Sequence, residues 1–287
     1  MEERILSTEL VRTFAEYLVR EERSSATCEK YLRDIRNFST FACNRPITKE
    51  LVMAWKKHLL GGGYAAKSVN SMLAAVNSLL SFLSWHECRV KNIRLQHQSY
   101  CNEDAELTKA EYMRLLNAAK IDRQLWLILQ AICGTGIRVS ELQFFTVEAV
   151  RRGEITVSCK NKTRTILIPG NLRKQLLHYA KEKEITGGAI FLSRNGRPLD
   201  RSVIWRKMKR LCGKAGVKEC KVYPHNLRKL FACTFYSMER DIAKLADVLG
   251  HSSINTTRIY IMTTGREHRR KIERLGLVIP LKNEIVT

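Results

Sequence analysis

The sequence predicts a mainly α-helical protein with one small β-hairpin, folded as two domains. Apolar residues recur at helical spacing through the first hundred positions. Around residues 155–168 the pattern changes to alternation, the period of a strand. The stretch 98–106 has no apolar periodicity. These observations give a helical domain over 1–97, a linker over 98–106 and a mixed α/β domain over 107–287.

In the first domain, Val11, Phe14 and Leu18 make one helical stripe and Tyr31, Ile35 and Phe38 a second. Leu51, Val52, Trp55 and Leu59 make a third, ended by Gly61, Gly62 and Gly63. Val69, Leu73, Val76 and Leu80 form a fourth, with Ser71, Asn77 and Ser78 opposite. Four helices with short connections predict a compact helical bundle. In the second domain, Thr108 and Glu111 have the spacing of a capping box that opens a helix. A more buried helix covers Leu125 to Cys133, stops at Gly134-Thr135-Gly136, and another begins at IRVSEL. Ile155 and Val157 alternate with Thr156 and Ser158, then the polar tip KNKT leads into ILIP, which reads as a hairpin with lysines at its turn. The remainder returns to helical patterns.

Charge points to the partner. The chain of 287 residues carries a formal net charge of +22. Residues 1–104 hold 15 Lys and Arg against 12 Asp and Glu, and the rest hold 35 against 16, so the second domain has nearly all the excess. Such an imbalance predicts a polyanion, of which nucleic acid is the commonest. Nine cysteines stand singly, without Cys-x-x-Cys or zinc-ligand spacing, as expected of reduced thiols in a cytoplasm. No metal site or cofactor is predicted. The start, MEERILSTEL, lacks the apolar core of a secretion signal, and no apolar run is long enough to span a bilayer.

Four pieces could do chemistry. Arg138, in GTGIRVSEL, sits at a helix start, where unpaired N–H groups and a guanidinium suit a phosphate; alone, it also reads as a surface pair with Glu141. His225 and Arg228, in PHNLRKL, share one helix face, as would any basic stripe. Lys160 and Lys162 mark the hairpin tip with Arg164 on the following strand, either solvated or aimed at a nucleic-acid groove. His251 and Tyr260 are nine apart, about 13 Å on one unbroken helix. Gly250 ends the helix IAKLADVL, and Ser252, Ser253 or Asn255 can cap a new one, so both side chains can approach one target. A phenol surrounded by Arg and His donors, with a phosphate held in line, can act as a nucleophile on a nucleic-acid backbone.

GTGIRVSEL, NKTRTILIP, HNLR and LGHSSINTTRIY occur in the order and approximate spacing of the tyrosine recombinase (phage integrase) family, which the chain resembles over most of 108–265. The resemblance implies a SAM-like helical core-binding domain and a mixed α/β catalytic domain, together a C-shaped clamp on double-stranded DNA. It implies site-specific strand exchange without metal or ATP. By that likeness Tyr260 is the nucleophile, Arg138 and Arg228 bind the non-bridging oxygens, and His225 and His251 hydrogen-bond the phosphate. A hairpin lysine, Lys160 or else Lys162, is the general acid; Glu141 organises the site, and Lys162 and Arg164 contact DNA. The hairpin departs from the family's Gly-Lys-Gly-Asn-Lys, reading Ser158-Cys159-Lys160-Asn161-Lys162, one residue short at the turn. The likeness further implies a homo-tetramer on paired sites, accessory proteins in some systems, and a C-terminal tail, GREHRRKIERL then LGLVIPL, docked on a neighbouring protomer. The setting it implies is prokaryotic or mobile-element encoded, cytoplasmic and nucleoid-associated. The rival readings are a type IB topoisomerase and a non-catalytic DNA-binding regulator.

Overall fold

A computed structural model describes residues 4–95, 103–159, 162–261, 269–270, 272–275 and 277. The chain divides into two compact units, residues 1–97 and 98–287. The first holds α1 (Thr8–Arg20), α2 (Ser25–Ala42), α3 (Lys49–Gly61) and α4 (Ala66–Phe82). Side-chain oxygens of Ser7, Ser24 and Thr48 accept the orphan N–H groups at the first three helix starts. The four stripes meet in one core built on Phe14, Phe38, Trp55 and Leu73, with Phe38 and Trp55 edge to face at 5.0 Å. Asn70 and Asn77, on the polar side of α4, bond the backbone of Ile93 and Val90 and hold the segment leaving the bundle.

The second unit is built on α6 (Arg123–Thr135), an apolar helix whose Leu127, Ile128, Leu129 and Ile132 have no exposed surface. Around it lie α5 (Lys109–Ala118), α7 (Val147–Arg152), α8 (Gly170–Glu182), α9 (Arg201–Ala215) and α10 (Pro224–Glu239). Thr108 and Glu111 form the full capping box of α5. Residues 103–106, expected to be linker, belong to this unit: Asp104 pairs with Lys218, Glu106 with Lys229, and Ala105 accepts from Asn226. Ion pairs of this kind leave no apolar period, so the stretch reads as a linker in the sequence.

The hairpin consists of antiparallel β1 (Glu154–Cys159) and β2 (Lys162–Leu167), with Cys159 opposite Lys162. Lys162 therefore lies on the strand and not in the turn; the turn residues, Lys160 included, lie outside the described residues. Alternation on β2 buries Ile166 and leaves Leu167 74% exposed. IRVSEL forms a tight 3-10 helix (Val139–Phe144) instead of the expected α-helix, with Arg138 as its N-cap. The chain then passes through α11 (Ile242–Leu249) and α12 (Ile254–Arg258) to a 3-10 turn at Ile259–Ile261. Among the described residues no helix is long and apolar enough to cross a membrane. The tail lies largely outside the described residues.

Candidate active site

Two glycines allow the site to form. Gly136 ends α6 with φ +64°, and a Cβ there would run into the Phe231 ring. Gly250 ends α11 with φ +63° and ψ +47°, and a Cβ there would overlap the Arg164 guanidinium. Both are left-handed caps that glycine adopts without the steric cost of a side chain. Ser253 caps α12 after the Gly250 reversal, and this fold-back returns Tyr260 to within reach of His251.

Three guanidiniums then converge on the C-terminal end of α11. The Leu249 carbonyl accepts from Arg164 and from Arg228 Nη2, the latter at 2.6 Å. The Gly250 carbonyl accepts from Arg138 Nη2 at 3.2 Å. Arg228, 2% exposed, also donates to the Gly136 carbonyl. A helix C-terminus carries partial negative charge, so it suits cations that would otherwise repel one another. Glu141 adds a full negative charge from a buried position. Its Oε1 accepts from Arg138 Nη1 at 2.9 Å, and its Oε2 from the Arg138 N–H at 2.9 Å and from Arg164 Nη2 at 2.6 Å. The Arg138–Glu141 pair is thus no surface bridge.

The two imidazoles flank Tyr260. The His225 and His251 ring centroids lie 5.3 and 5.4 Å from the phenol ring, the His251 ring nearly parallel to it. The phenolic hydroxyl is 3.3 Å from His225 Nε2. Tyr260 itself is 5% exposed, packed with Ala232, Leu245 and Leu249. Thr257, fully buried, places its hydroxyl 2.8 Å from His251 Nδ1, and His251 Nε2 lies 3.1 Å from Arg228 Nη2. Arg228 can only donate, so His251 Nε2 accepts and Nδ1 carries the proton toward Thr257.

Burial and excess positive charge act together on this cluster. Desolvation, then Arg228 and Arg138, push the His251 imidazole down to about 4. Desolvation, then Arg228, Lys229 and Arg138, lower His225 as well. Both rings are neutral at pH 7, which leaves His225 Nε2 able to accept a proton. Desolvation first and Arg138 second hold the Arg228 guanidinium near about 10, while Tyr260 pulls it the other way; it remains a cation at neutral pH.

A buried phenol beside a neutral imidazole, facing two guanidiniums, is equipped to attack a phosphodiester. The comparisons with known proteins agree. Residues 105–266 match the model of the phage integrase family, and residues 11–87 that of the phage integrase N-terminal SAM-like domain. The chain belongs to the phage integrase family. It is similar to tyrosine recombinase XerA of Pyrococcus furiosus, 29% identical over 97% of this chain and 98% of that protein. It is also similar to tyrosine recombinase XerD of Staphylococcus aureus, 26% identical over 86% and 91%. Among solved structures, a XerA recombinase crystal structure shares 25% identity, covering 94% of this chain and 99% of that one, with a TM-score of 0.53. A lambda integrase(75-356) dimer bound to a COC′ core site shares 20% identity over 91% and 97%, with a TM-score of 0.73. This integrase-family chain is therefore a recombinase enzyme of mainly α fold, with a SAM-like first unit and a catalytic second unit.

Of the residues singled out in the sequence, the structure brings together Arg138, Glu141, His225, Arg228, His251 and Tyr260. Arg164, expected on the DNA face, is instead turned inward onto Glu141 and Leu249, its side chain 13% exposed. The reason is register: Arg164 pairs across the hairpin with Val157, 2% exposed, and shares its face of β2 with Ile166. Lys160 lies outside the described residues, and of Lys162 only the backbone position on β2 is given. Thr257 and the Leu249 and Gly250 carbonyls were not anticipated. Carbonyl acceptors have no sequence signature, and Thr257 is one of several hydroxyl residues after Gly250.

Proposed function

We propose that this chain cuts and rejoins duplex DNA at specific sites through a 3′-phosphotyrosyl intermediate, using no metal and no ATP. Tyr260 Oη forms the new bond to phosphorus as the P–O5′ bond breaks. The phenolic proton passes to His225 Nε2, and a hairpin lysine, Lys160 with Lys162 as the alternative, supplies a proton to the departing 5′-oxygen. Arg138 and Arg228 grip the non-bridging oxygens, bidentate donors matched to a phosphoryl group. His251 joins them once a phosphate anion raises its pKa and favours a proton on Nε2. One phosphoester replaces another, so the bond energy stays in the protein–DNA link and rejoining requires no fuel.

The observation that carries this reading is the 3.3 Å approach of the Tyr260 hydroxyl to His225 inside the Arg138–Arg228–His251 cluster. The finer assignments follow from the family likeness: a homo-tetramer on paired DNA sites, a tail docked on a neighbouring protomer, accessory proteins in some settings, and a cytoplasmic, nucleoid-associated protein of a prokaryote or mobile element. The test is a nicked suicide duplex carrying the sequence that the purified protein protects. Wild type becomes covalently attached to the 3′ end, whereas Tyr260→Phe binds with a Kd within about twofold and forms no adduct. An adduct in the Phe variant, or none in wild type, refutes the reading. Relaxation of supercoils without exchange between two sites would make the enzyme a type IB topoisomerase instead.

A further inference from the structure

We infer that Arg164 is a positioning residue that offsets the Glu141 carboxylate, so that Arg138 and Arg228 present their full charge to the reacting phosphate. The inference rests on the proposed transesterification and adds a residue to it. Glu141 binds Arg138 through both the guanidinium and the backbone N–H. Those contacts fix Arg138, yet a buried carboxylate beside it would also cancel much of the charge that a phosphate needs. Arg164 takes up the Oε2 oxygen at 2.6 Å, with its other arm on the Leu249 carbonyl. It reaches the site from β2, is nearly buried, and lies against Gly250, where a side chain would displace it.

The charge count gives the consequence. Arg138, Arg164 and Arg228 against Glu141 leave two positive charges in the cluster. Attack by a phenolate on a phosphodiester produces a phosphorane with two negative charges, one from each reactant. The cluster thus matches the transition state in charge, one unit better than it matches the singly charged ground state, and this difference is the kind that accelerates a reaction. Without Arg164 the match falls to one positive charge. Arg164 touches neither Tyr260 nor the surface where DNA would lie, so its loss should spare binding.

The experiment measures DNA affinity, its salt dependence and single-turnover covalent trapping, using the full chain and the nicked duplex described above. The variants are Arg164→Gln, Arg164→Lys, Glu141→Gln and the double variant Glu141→Gln/Arg164→Gln. Arg164→Gln should slow trapping about 10–100-fold, with Kd within about threefold and an unchanged salt slope. The double variant should be no slower than Arg164→Gln alone, because a neutral residue 141 needs no counter-charge; a double-mutant cycle isolates this coupling. Multiplicative effects in the double variant overturn the inference, as does a loss of binding that equals the loss of rate. Unfolding of both the Gln and Lys variants overturns it as well, since Arg164 would then serve stability alone. Failure of wild type to trap the duplex would strike the transesterification reading itself, which separates the two.

Discussion

Replacing Gly250 by alanine tests the site's geometry at its narrowest point. The residue occupies φ +63°, ψ +47°, where an L side chain costs about 1–2 kcal/mol. The new methyl would also overlap the Arg164 guanidinium, which must withdraw from the Leu249 carbonyl and from Glu141. Loss of a hydrogen bond to a charged group costs about 1.5–3 kcal/mol. Together these give about 2.5–5 kcal/mol, and a unit of this size loses about 2–4 °C of Tm per kcal/mol. Calorimetry of the full chain should therefore show the catalytic unit's transition lowered by roughly 5–20 °C. Gly216→Ala is the control: Gly216 has φ +59° but open space around its Cβ position, so only the backbone term of about 1–2 kcal/mol remains. Equal losses in the two variants would show that Arg164 does not press on Gly250, and the packing argument would fail.

Further outcomes follow from the same contacts. Thr257→Val keeps the buried shape but removes the partner of His251 Nδ1; stability should fall by about 1 kcal/mol, and trapping about tenfold with DNA affinity unchanged. Wild-type trapping by this variant would exclude an orienting role for the hydroxyl. His225 and His251 both have folded-state pKa values below the ordinary histidine value. Their stabilisation is therefore present above about pH 6.5 and lost as pH falls toward the folded value, about 4 for His251. Discounted for partial exposure, His251 should contribute about 1–2 kcal/mol of loss, visible in urea unfolding between pH 7 and 5 and flattened in His251→Gln. An identical slope in that variant would assign the loss to other groups. Trapping should decline over the same acid range, because a protonated His225 cannot accept from Tyr260.

Local signals made much of this legible. The Thr108–Glu111 capping box, the Gly250 break and the four helical stripes each depend on residues close in sequence, and each appears where the pattern puts it. Arg138 and Tyr260 could be named because their motifs keep a fixed spacing. What stayed hidden was long-range. Arg164 bonds residues 23 and 85 positions away. A signal for it did exist: strand alternation puts residue 164 on the face of Ile166, toward the core. It was overridden by the expectation that a basic residue near a hairpin tip faces DNA. The linker reading of 103–106 failed for the same physical reason, since Asp104 and Glu106 find their lysines over a hundred residues later.

The convergence of three arginines has a cost that explains the rest of the site. Two unit charges about 6 Å apart repel by about 3 kcal/mol at an effective dielectric near 20. One carboxylate and the last carbonyls of α11 offset part of this and leave a positive potential. The lowered pKa values of His225, His251 and Arg228 all record that potential, because each names Arg138 or Arg228 among its causes. A phosphodiester lowers the energy of the whole cluster at once, so its binding should bring protons onto the histidines as well as contacts onto the arginines. That coupling makes a second test of the site independent of catalysis. DNA binding by Tyr260→Phe should take up protons near pH 6, measurable as a buffer-dependent heat, and His251→Gln should reduce the uptake. Binding without proton uptake would mean that the phosphate does not enter the field of these three guanidiniums.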